Sequence, residues 1–127
     1  MAIDYDEYGL GDIVLDFKGH TNIVYSVAFS PDGKLGMSGG LDNTVKVFDI
    51  KTGDILLVFT KHTRRVYSVA FSPDGELGMS GSDDKTVKIF DIKTGEVLLD
   101  FTKHTNTVNS VAFSPDGKLG MSGSYDN

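Results

Sequence analysis

The stretch SVAFSPDGKLGMSG occupies residues 26–39, returns at 68–81 with Glu76 in place of Lys34, and returns again at 110–123. His20, His62 and His104 stand 42 residues apart, as do Pro31, Pro73 and Pro115, and Phe48 and Phe90. Residues 20–61 and 62–103 differ at ten of forty-two positions. A fixed period of this length restricts the fold severely. Each copy is one supersecondary unit that cannot bury its apolar face alone, so the copies must stack. Copies this alike mark recent duplication or deliberate construction.

Within one period, VYSVAF (66–71) and TVKIF (86–90) alternate and are rich in β-branched and aromatic residues, the pattern of half-buried strands. ELGMSGS (76–82) and EVLLDF (96–101) read as two more strands. SPDG supplies a turn in which Pro presets φ and Gly accepts the left-handed conformation. DDK and KTG mark the other reversals. Connections this short cannot cross over between parallel strands. Each period therefore predicts four antiparallel strands, and the chain an all-β fold without helix.

Composition narrows the function. A net charge of −6 argues against nucleic acid, whose phosphates are held by clustered Lys and Arg. Arg64 and Arg65 are the only paired arginines and read as a solvated loop pair. With no cysteine, disulfides and thiolate metal sites are excluded. The acidic MAIDYDEYGL start lacks the apolar stretch of a signal peptide, and no run reaches transmembrane length. The expectation is a soluble cytoplasmic chain away from membranes. DYDEYG (4–9) opens like a calcium loop, with Asp4, Asp6 and Gly9 at the right offsets. Leu15 stands where a bidentate Glu is required and Tyr8 holds a ligand position, so no metal site and no cofactor are expected.

Repeated four-stranded units of about 40–45 residues are the mark of a β-propeller. The segment KHTRRVYSVAFSPDGELGMSGSDDKTVKIFDIKTG (61–95) resembles the WD-repeat family, and the resemblance runs from about residue 11 to the end. The His, the SPDG turn, the Ser-Gly-Ser strand, the Asp-x-Thr turn and the aromatic-Asp strand end all fall at the family's spacing. Two features depart from it. Gly-His is intact only at Gly19-His20, becoming Lys-His at 61–62 and 103–104, and Trp-Asp becomes Phe48-Asp49 and Phe90-Asp91. The resemblance divides the chain into N-terminal strands at 1–17, blades at 18–60 and 61–102, and a partial blade at 103–127.

It also implies a buried polar network of His20, Ser38, Asp42 and Phe48, then His62, Ser80, Asp84 and Phe90, then His104, Ser122 and Asp126. In the family the fourth member is a Trp whose indole N–H donates to the Ser. Phe cannot donate. Each blade is expected to forgo that bond, at roughly 0.5–1.5 kcal/mol if the Ser finds no other donor. A Ser, a His and an Asp together also suggest catalysis, but a triad converges in one pocket. A grouping repeated in every blade with nothing to single out one copy is a brace, and no catalytic residue is assigned.

Function is sought where the copies disagree, after each His and before each turn Asp. By resemblance both places lie at the narrower end of a propeller, where WD-repeat proteins commonly hold peptides and protein surfaces. Three trios result: Ile23, Tyr25 and Leu41; Arg65, Tyr67 and Asp83; Thr107, Asn109 and Tyr125. Tyr and Arg are enriched in binding hot spots. The leading expectation is a non-catalytic platform for a peptide or protein ligand. Its alternative is a self-assembling propeller module, natural or engineered, with no ligand.

GDIVLDF (11–17) matches GDILLVF (53–59) and reads as a fourth strand, with a third strand in AIDYD (2–6). Two registers are open there, one setting Ile3 and Tyr5 over Val45 and Val47, the other aligning Tyr5-Asp6 with Phe48-Asp49. Propellers typically need four to eight blades. Three blade equivalents therefore predict head-to-tail homo-oligomers, a dimer of six blades ahead of a trimer of nine.

Overall fold

In a computed structural model, the residues described are 2–4, 12–15, 19 and 22–126. They form strands and turns, with no helix among them. β1 (Ala2–Asp4) pairs antiparallel with β2 (Asp12–Leu15). A first blade follows, of β3 (Val24–Phe29), β4 (Leu35–Gly40), β5 (Val45–Asp49) and β6 (Ile55–Phe59), hydrogen-bonded in chain order. A second repeats it with β7 (Val66–Phe71), β8 (Leu77–Ser82), β9 (Val87–Asp91) and β10 (Val97–Phe101). β11 (Val108–Phe113) and β12 (Gly120–Ser124) begin a third.

The turns hold because their polar side chains replace missing ladder partners. Between β7 and β8, the Ser72 hydroxyl donates to Asp74 (2.6 Å) and accepts from the Leu77 N–H (2.9 Å). Gly75 sits at φ +76°, in the left-handed region that a Cβ disfavours. Between β9 and β10, the Asp91 carboxylate accepts the N–H groups of Lys93 and Thr94. The Asp of the aromatic-Asp pair is thus a turn cap.

Side chains of small volume let the blades close on each other. A Cβ built on Gly39 would lie 2.6 Å from Val66 Cγ1 and 3.0 Å from Val69 Cγ1. Gly81 meets Val108 and Val111 in the same way, at 2.7 and 2.9 Å. The core between the two full blades gathers Met37, Val45, Val47, Phe59, Val69 and Phe90. Burying each such side chain contributes roughly 1.5–3 kcal/mol. A smaller core of Met79, Val87, Val108 and Val111 joins the second blade to the partial one.

The N-terminal pairing follows neither expected register. Ile3 stands opposite Ile13, whereas in the blades the equivalent partners are Phe48 opposite Ile55 and Phe90 opposite Val97. Ile3 therefore takes the register position of those phenylalanines, and the connection to β2 is three residues longer than in a blade. Tyr5 and Asp6 lie outside the described residues.

Candidate functional site

In the second blade, His62 lies in the segment before β7 and is buried together with Ser80 of β8. Its Nδ1 is 2.8 Å from the Asp84 carboxylate and its Nε2 is 2.7 Å from the Ser80 hydroxyl. A carboxylate only accepts, so Nδ1–H donates, and in the neutral ring Nε2 accepts the Ser80 O–H. Asp84 also accepts the Thr86 hydroxyl (2.6 Å), the Thr86 N–H (3.0 Å) and the Thr63 N–H (3.1 Å). Burial pushes its carboxyl up, but the bonds from His62 and Thr86 outweigh this and hold it well below the usual carboxylate range.

The partial blade repeats the geometry, with His104 Nδ1 3.0 Å from Asp126 and Nε2 2.7 Å from Ser122. His20 lies outside the described residues. Its companions Ser38 and Phe48 are buried, and Asp42 takes the Thr44 hydroxyl at 2.8 Å. No buried side-chain N or O atom among the described residues lacks a partner. Ser80 spends its proton on His62, and Phe90 cannot give its oxygen the bond that an indole N–H would supply. Phe90 has another task. It is fully buried and stacks on Phe59 of the preceding blade, ring centroids 4.1 Å apart.

The trios occupy the strand ends beside this brace. In each, the first and third residues are joined through the main chain: Leu41 N–H to Ile23 O (2.8 Å), Asp83 N–H to Arg65 O (2.9 Å) and Tyr125 N–H to Thr107 O (3.2 Å). The middle residues of the first two meet across blades, with the Tyr25 and Tyr67 rings 4.7 Å apart and tilted by 55°. The Tyr67 hydroxyl beside Arg65 holds that guanidinium above its ordinary value. Ile23, Arg65, Asn109 and Tyr125 are exposed, and Leu41, Tyr67 and Asp83 are half-buried.

Thr107, the first residue of the third trio, is turned to the neighbouring blade. It is buried, and its hydroxyl donates to Asp83 of the preceding blade at 2.5 Å. Thr107 and Asp83 form a clasp between blades. Ser82, which sequence reasoning passed over, is fully buried and lies 2.8 and 3.1 Å from the carbonyls of Arg65 and Arg64. It fixes the loop that carries Arg65. The signal was present, since Gly40 holds this position in the first blade and cannot make the bond.

The Ser80 hydroxyl is buried and its His is tied to Asp84, and no cluster of potential metal ligands occurs among the described residues. The site offers two tyrosine rings, a guanidinium and exposed apolar side chains at neighbouring strand ends.

Compared with known families, the chain matches the WD domain, G-beta repeat, at residues 11–49, 53–91 and 95–127. No curated protein matches it.

Proposed function

The chain belongs to the WD-repeat family, and on that premise we propose that it is a non-catalytic platform for a protein or peptide, built on the trio face of a propeller ring. WD repeats generally serve protein interaction, and the family's fold leaves the ligand to the loops. The observation that carries the reading is the Tyr25–Tyr67 pair with Arg65 beside it. Rigid aromatic rings and an arginine give contact area and directed hydrogen bonds at small entropic cost.

The ring is a homo-oligomer, two copies giving six blades in preference to three giving nine. Apolar side chains exposed on the first blade, Val27 at 61% and Phe29 at 58%, support it. The same exposure favours the second reading, a self-assembling module without a ligand. Capture on a peptide array separates them. Tyr25→Ala with Arg65→Ala should remove peptides that the wild type retains, both proteins being equally folded by circular dichroism. Capture that is unchanged, or no capture by either protein, overturns the platform and leaves the module.

A further inference from the structure

We infer that a second copy of this chain docks head to tail on the first by repeating the joint between its own blades, Val24 and Val27 of one copy closing on Gly123 of the other. This rests on the homo-oligomeric ring proposed above and names its contact.

Inside the chain the joint has three parts, each present twice at the 42-residue step. A glycine of one blade receives two valines of the next, Gly39 with Val66 and Val69, then Gly81 with Val108 and Val111. A serine hydroxyl accepts a main-chain N–H across the joint, Ser26 from Val69 (3.2 Å) and Ser68 from Val111 (3.1 Å). A turn proline faces a turn glycine, Pro31 lying 3.5 Å from a Cβ built on Gly75 and Pro73 lying 3.4 Å from one built on Gly117.

Both halves of a third joint stand open on opposite flanks. Gly123 occupies the position of Gly39 and Gly81, yet a Cβ there would meet only Asn109 and Ser110 of its own sheet. Val24 and Val27 occupy the positions of Val66 and Val69 but are 42% and 61% exposed, where Val66 is fully buried. Gly33 has no atom within 4 Å of a built Cβ, although Gly75 and Gly117 each face a proline. Pro115 is exposed. Superposing the internal joint on these flanks sets Val24 and Val27 into Gly123, directs the Val27 N–H to the Ser110 hydroxyl, and lays Pro115 over Gly33.

The outer strands agree. Phe59 is 2% exposed because it stacks on Phe90 of the next blade, while its equivalent Phe101 is 39% exposed. Phe101 borders an open cleft of about 200 Å³ with Leu99, Met79 and Met121. Over Gly36 and Gly78 the rings of Phe48 and Phe90 fill the matching space, whereas over Gly120 no ring lies and the end of the Met79 side chain approaches. β1 carries Ile3 at the register position of those rings. The incoming copy thus brings both the valines and a strand whose register suits the cleft.

The chain has no cysteine, so an introduced pair reports on proximity directly. Val66 Cβ lies 3.2 Å and Val108 Cβ 3.3 Å from the Cβ built on the facing glycine, a few tenths of an ångström short of the disulfide range of about 3.5–4.5 Å, so a small parting of the joint brings a cysteine pair into range. Mild oxidation of the Val24→Cys/Gly123→Cys variant should give a species of twice 13.7 kDa on a non-reducing gel, lost on reduction. A ladder of larger species also supports the docking, while overturning the closed dimer. A folded variant with no cross-linked species overturns the docking. Light scattering on the wild type then separates the two ideas: a dimer mass keeps the ring with another contact, and a monomer mass removes both. If the double variant does not fold, Val27→Lys, at an exposed position of the single chain, should weaken association at least tenfold, and unchanged association overturns the docking.

Discussion

Removing His62 and Ser80 singly and together tests whether the brace is a coupled unit. His62→Ala leaves the Ser80 hydroxyl fully buried without its acceptor, at about 1–3 kcal/mol. Asp84 keeps the Thr86 hydroxyl and the N–H groups of Thr86 and Thr63, so it adds little. The lost imidazole also vacates the space beside Phe59, whose ring it meets edge-on at 6.0 Å. The total expected for His62→Ala is about 2–4 kcal/mol. Ser80→Ala strands only the Nε2 lone pair, at about 1–2 kcal/mol. The double variant strands neither group, so it should cost about 1 kcal/mol less than the sum of the singles. Urea unfolding followed by tyrosine fluorescence and far-ultraviolet circular dichroism measures all four proteins. Protein concentration must be fixed, because self-association shifts apparent stability. Additivity within about 0.3 kcal/mol would refute the coupling.

Asp84→Asn should destabilise the protein at pH 7 by about 1.5–3 kcal/mol, the worth of hydrogen bonds to a charged group. Because the folded carboxyl titrates below its unfolded value of about 3.9, its contribution is present above that pH and is lost as pH falls through the folded value. The gap to wild type should therefore narrow in acid unfolding series below about pH 4, and a gap independent of pH would count against the reading. Phe90→Trp, which restores the family residue, should lower the urea midpoint. Phe90 Cζ already lies 2.6 Å from a Cβ built on Gly78, and overpacking costs about 1–3 kcal/mol. A gain in stability would show that Ser80 does need the indole donor.

The blade strands were legible because period-two patterning and turn chemistry agree: VYSVAF is β7 to the residue, and the strands at 76–82, 86–90 and 96–101 are displaced by no more than a residue. The resemblance to the WD repeat indicated His62, Ser80 and Asp84, since residues that match the family's motif carry the family's partners. Contacts between copies left no such trace. Tyr25 meets Tyr67, and Thr107 meets Asp83, only because two blades stand face to face, and no pattern within one period encodes that. The register of β1 escaped for a different reason: its connection to β2 lacks the Asp-x-x-Thr-Gly turn that fixes β5 against β6.

The repeated joint has a cost in refolding. A slip of 42 residues places the same valines against the same glycine, so an incorrectly ordered stack satisfies most of its contacts. The energy gap that guides the chain to one order must come from positions where the copies differ. The Thr107 clasp is one: docked beside the first blade instead of the second, its hydroxyl would face Leu41 and go unanswered. A few polar side chains thus act as address labels, and trading them between copies would populate kinetic traps while leaving the native contacts of each blade unaltered.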